Sequence, residues 1–136
     1  MKILICASKH HYDTIAPIQA TLEGIGHAVM LPNSFDAPMK EEEKKKEGPE
    51  AHREWKAMML HKQSEKVLAN DAVLVLNFDK GDKKNYIGGA TFLEIFRAFD
   101  AGKKIFMWNP IPEGILTDEL CAMGPVVING DISKIR

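Results

Sequence analysis

Unbroken apolar runs alternate with stretches of helical spacing along this chain. Ile3–Ala7, His27–Leu31, Ala72–Leu76, Lys104–Trp108 and Val126–Ile128 are short, and polar or Gly/Pro-marked segments separate them. Runs of that length and continuity predict strands buried on both faces, as in a parallel sheet. Helices fill the gaps. The first is expected from about Thr14, a candidate cap, to Gly24, with Pro17 in the first turn where a missing N–H is tolerated. Ile15, Ile18, Leu22 and Ile25 share one of its faces, and Gly24 and Gly26 bracket its stop. A long second helix starts at Pro49 and runs to about Ala69. Ala51, Trp55, Met58, Met59 and the stem of Lys62 are expected to face the sheet as core. A third helix runs about Thr91–Ala101 and stops at Gly102, with Phe92, Ile95, Phe96 and Phe99 as its apolar stripe. Pro110 and Pro112 precede a short fourth helix around Thr117–Met123, and an Asn129-Gly130 turn closes the last strand.

Such alternation implies an α/β fold with helices on both faces of a parallel sheet. Right-handed crossovers limit the topology. The common five-stranded solution is the doubly wound, flavodoxin/Rossmann-like order 2-1-3-4-5. The switch point then lies between the first and third strands. The loops Ser8–Asp13 and Asn77–Ala90 are therefore expected to face each other across one crevice, where such sheets bind ligands. At 136 residues the chain suits a single domain, 1–136.

One segment departs from the pattern. Asn33–Gly48 contains Pro38 and the run KEEEKKKE at Lys40–Glu47, which has no apolar residue to bury. It reads as a charged mobile loop, about 33–48, or a frayed helix start, poorly packed against the core; a lid over the ligand site is the functional alternative. The rest of the composition is ordinary, with 45% hydrophobic and 27% charged residues and a net charge of −1. That balance gives no electrostatic reason for a nucleic acid polymer or a membrane surface as partner. Cys6 and Cys121 form no framework and suit a reducing compartment, and the apolar N-terminal run is too short for a signal peptide. A cytoplasmic protein is expected.

Candidate chemistry gathers between Asp71 and Phe106. Glu94 lies near a helix start, where the helix dipole favours an ionised carboxylate. A positioned carboxylate can attack a sugar's anomeric carbon. Thr91-Phe92-Leu93-Glu94 is equally a capping-box signature, in which Glu94 would only bond the backbone N–H of Thr91. Spacing puts Glu94 off the Phe92–Phe99 stripe, facing solvent or the crevice. Gly88-Gly89 would let a ligand approach the backbone closely. Asn77 and Asp79 follow the third strand and either bind hydroxyls or cap the turn. Lys80, Lys83 and Lys84 read as solvated, with a phosphate contact as the alternative. On the first loop, Tyr12 is placed to stack on a base or to position the nucleophile. His10 and His11 lack a third metal ligand, and His27, His52 and His61 read as surface or helix residues.

At these residues the chain resembles the nucleoside 2-deoxyribosyltransferase-like family. The resemblance rests on Gly88-Gly89-Ala90-Thr91-Phe92-Leu93-Glu94-Ile95 with Gly102-Lys103-Lys104-Ile105 downstream, on Gly26-His27-Ala28-Val29 and Leu31-Pro32, and on Asn70–Leu76. It covers most of the chain outside the charged segment. It implies Glu94 as nucleophile, with Tyr12 beside it and Asp79 as a stand-in for the family's acid at the leaving base. Asn77, Gly88, Gly89 and Thr91 would line the substrate. It implies cleavage or transfer at the N-glycosidic bond of a (deoxy)nucleoside or nucleotide, no metal or organic cofactor, and a homo-oligomer. Two positions depart from the family pattern: Asn77 stands where an acid is frequent, and Phe96 where a glycine is. A non-catalytic nucleotide-binding or sensing module of the same fold is the alternative. A receiver domain would need acids at the end of the first strand, and Ile5-Cys6-Ala7-Ser8 has none; Lys9-His10-His11-Tyr12 suits an FMN phosphate poorly.

Overall fold

The computed structural model describes residues 1–136. Five parallel strands form one sheet: β1 (Lys2–Cys6), β2 (Ala28–Met30), β3 (Ala72–Val75), β4 (Lys104–Met107) and β5 (Val126–Val127). Their order is β2-β1-β3-β4-β5, as expected from the alternation of runs. Leu4 lies opposite Met30 on one side and Val73 on the other, and Val73 opposite Ile105. The helices are α1 (Ile15–Gly24), α2 (Lys40–Glu47), α3 (Pro49–Ala69), α4 (Gly89–Asp100) and α5 (Thr117–Met123), with short 3-10 turns at Lys9–Thr14 and Ile132–Lys134. No helix is long and apolar enough to cross a membrane.

Handedness distributes the layers unevenly. The connection from β1 to β2 runs one way across the sheet; those into β3, β4 and β5 all run the other way. Right-handed crossovers therefore put α1 on one face and α3, α4 and α5 on the other. The buried side chains agree. Leu4, Cys6, Val73, Val75, Ile105 and Met107 pack with Val67, Ile95, Ala98, Leu120 and Met123. The alternate strand residues Ile3, Ile5, Leu74 and Phe106 pack with Ile15, Ile18 and Leu22 of α1, and with Ile128 and Ile135 near the C-terminus.

Several local expectations change. Thr14 does not cap α1 through its side chain, because its hydroxyl donates back to His11 O at 2.6 Å. Lys40–Glu47 is a formed helix, α2, with no buried residue. Trp55, Met58 and Met59 are not core: Val67 is the one buried residue of α3, and Met58 is 56% exposed. Ala51 and Lys62 likewise stay out of the core clusters. α3 touches the sheet only near its C-terminal end. On α4 the buried face is Thr91, Glu94, Ile95 and Ala98, while Phe96 and Phe99 are about half exposed. The small Ala98 lets the helix approach the strands closely. Arg97 Nε, donating to Ser64 Oγ at 3.0 Å, ties α4 to α3.

Candidate functional site

A cleft of about 430 Å³ opens at the carboxyl end of the sheet, within the size range of small-molecule sites. Its floor comes from the switch point. The β1 loop contributes Ser8, Lys9, His10 and Tyr12, and the β3–α4 loop contributes Lys80, Tyr86, Gly88 and Gly89. The two loops therefore meet as the strand order requires. α3 supplies one wall, and α2 contributes Glu41, Glu42 and Lys45 to the lining.

Glu94 sits at the base of this cleft, 9% exposed. The capping expectation fails here. α4 begins two residues earlier, at Gly89 with Gly88 as its N-cap, so Thr91 lies inside the helix and both Thr91 and Glu94 face the cleft. Burial raises the Glu94 carboxyl to about 8; the neighbouring Cys6 thiol and the charge of Lys66 only partly offset it. Lys66 is itself anchored to Leu31 O at 2.8 Å. Tyr12 is pushed up to about 12, first by burial and then by the negative charge of Glu94, so its hydroxyl stays protonated in the same cleft. Gly88 leaves room for Tyr86: a Cβ there would stand 3.2 Å from the Tyr86 hydroxyl. Lys80 Nζ lies 4.7 Å from the centre of the same ring.

Tyr12, Gly88, Gly89, Thr91 and Glu94 thus share one concavity. Asn77 and Asp79 do not. Asn77 is fully buried and ties two loops together. Its Oδ1 accepts from Asn109 N at 2.8 Å, and its Nδ2 donates to Asn109 O and Pro110 O at 2.9 and 3.1 Å. An acid could not donate to those two carbonyls, which explains the amide at this position. Asn77→Ala is expected to cost about 2 kcal/mol by orphaning these groups, read as a lowered midpoint in denaturant unfolding. Asp79 closes its own loop, accepting from Asn85 N at 2.9 Å and Lys84 Nζ at 3.0 Å, which holds its carboxyl low. That geometry puts it out of reach as the acid for a leaving group. His11 is buried behind it and donates through Nε2 to Asp79 O. No three His, Cys, Asp or Glu side chains gather closely enough to hold a metal ion.

Sequence reasoning missed Cys6 and Lys66, the two groups acting directly on Glu94. The signal was weak, because Cys6 belongs to an apolar run and Lys66 to a charged helix. It also missed how α2 is held. Having nothing apolar to bury, α2 docks by charge. Lys9 pairs with Glu42; Glu41 takes hydrogen bonds from His52 at 2.9 Å and from Lys56 at 3.2 Å. Burial alone would raise the Glu41 carboxyl, but the bonds from His52 and Lys56 outweigh it and hold the group low. Gly48, at φ 135°, makes the junction to α3 in a conformation other residues resist. Such partly exposed pairs are screened by salt. Raising salt to 1 M is expected to speed amide hydrogen exchange in α2 severalfold while β1 and β3 are unaffected. Acid should act likewise: Glu41 holds α2 above its ordinary range and releases it as pH falls through its depressed value.

Comparison with protein families, with curated proteins and with solved structures finds no match for this chain.

Proposed function

We propose that the cleft cleaves or transfers the N-glycosidic bond of a nucleoside or nucleotide, with Glu94 as the nucleophile. One observation carries this reading. Glu94 is a nearly buried carboxyl with no close cationic partner, and it faces the ligand cleft. Burial penalises its charge in the empty cleft. A sugar acquiring oxocarbenium character would supply the missing positive charge, so the interaction is stronger in the transition state than before it. A carboxylate oxygen bonds to the anomeric carbon as the carbon–nitrogen bond breaks. The base leaves with the electron pair and takes up a proton from water. Water or a second base then attacks the anomeric carbon, gives up its proton to solvent, and displaces the carboxylate. Tyr12 orients the carboxyl, and Thr91 and the Gly88-Gly89 backbone line the sugar. Lys45 and Lys80 line the cleft without a carboxylate partner, which favours an anionic, phosphate-bearing substrate.

Incubation with a panel of nucleosides and 5′-monophosphates, followed by chromatography for free base, tests the reading. Released base is expected, faster from the monophosphates. Binding without release would favour the alternative, a nucleotide-binding or sensing module. The proposal includes a homo-oligomer, supported by the half-exposed Leu93, Phe96 and Phe99 along α4. Light scattering at micromolar concentration should then give at least twice the 15.2 kDa chain mass; a monomer there removes this part.

A further inference from the structure

Three residues of α3 line the cleft at four-residue spacing: Trp55, Met59 and Gln63. That spacing stacks side chains on one helix face, about 6 Å apart along the axis. Gln63 fixes the lower end of the row, donating through Nε2 to Ala90 O at 3.0 Å. Ala90 lies one turn before Glu94 on α4. The row therefore climbs from beside the buried carboxyl to the mouth, with Trp55 about 12 Å above Gln63.

The packing of the sheet does not account for Trp55 and Met59. Neither packs into the core on either sheet face, and both are half-buried in the cleft wall. Three aromatic pairs occur elsewhere, and Trp55 belongs to none of them. An indole that lines the cleft without a ring partner is available to stack on whatever fills it, and a thioether favours aromatic neighbours. A cleft of about 430 Å³ suits a small molecule rather than a protein segment. Lys45 and Lys80, which have no carboxylate partner, complement an anionic tail on the same cleft.

We propose that Trp55 and Met59 form the subsite for a flat heteroaromatic ring, stacked on Trp55 with its long axis pointing down the row toward Glu94. Its identification as a nucleobase rests on the glycosidic reading above; the stacking does not require turnover.

Trp108→Phe leaves Trp55 as the single indole, because the chain has two tryptophans. Titration of that variant with adenine and with adenosine, guanosine, cytidine and uridine 5′-monophosphates is expected to change Trp55 emission saturably for at least one of them. Calorimetry with the same probe should show Trp55→Ala weakened about tenfold or more, and Trp55→Phe close to the parent, because any aromatic face can stack. Unchanged affinity in Trp55→Ala, or calorimetric binding that leaves Trp55 emission unaltered, overturns the subsite. So does a failure of every probe to bind. Stacking with no base release leaves the subsite standing and removes the chemistry assigned to Glu94; release with Trp55 silent does the reverse.

Discussion

Glu94→Gln is expected to lower base release by roughly 10³-fold or more while ligand affinity changes little. The amide keeps the shape of the side chain but can neither bond covalently to the anomeric carbon nor meet its developing charge. The pH profile sharpens the test. With the carboxyl at about 8 in the free cleft, only about a tenth is ionised at pH 7. A nucleophile must be ionised, so kcat/KM should rise about tenfold per pH unit below 8 and level off above it. A profile falling through pH 8 would instead make Glu94 a proton donor. Unchanged turnover in Glu94→Gln would remove it from the mechanism.

The same substitution is expected to stabilise the fold in alkali. Glu94 is raised from 4.5 to about 8 on folding, chiefly by burial. The native chain therefore keeps this proton over a range in which the unfolded chain has lost it. Stability contributed by the protonated form is complete below 4.5 and disappears as pH climbs toward 8, a change of about 3–5 kcal/mol in full. Glutamine carries no such liability. The melting temperature of the variant should match wild type near pH 4 and exceed it on the order of 10 °C at pH 9. Parallel melting curves across that range would show that burial does not hold the proton on Glu94. A gain in stability with a loss of turnover is the trade expected of a group kept for function.

The sheet was legible because its strands are unbroken apolar runs and crossover handedness leaves few ways to order them. The switch-point crevice followed from order alone. Side-chain destinations were less legible, for specific reasons. Trp55, Met58 and Met59 look like core in any one-dimensional reading, yet α3 extends past the sheet and carries them with it. Phe96 and Phe99 match a helical stripe, but Ala98 wins the strand contact because only a small residue allows close approach. Asn77 and Asp79 occupy the right loop, and their own hydrogen bonds turn them away from the cleft. KEEEKKKE has no hydrophobic signal at all, and its docking depends on Lys9, His52 and Lys56, which come from other segments.

The length of α3 has a consequence for how this cleft can be altered. Its 21 residues reach about 30 Å, whereas the strands beside it span about 15 Å. Half of the helix is cantilevered beyond the sheet, anchored by Val67 at one end and joined to α2 at the other. The overhang functions as a spacer. Adding or removing about one turn between Trp55 and Gln63 would raise or lower the mouth relative to the floor while every strand contact stays in register. Cleft depth is thus an adjustable dimension of this architecture, separable from the core that makes it fold.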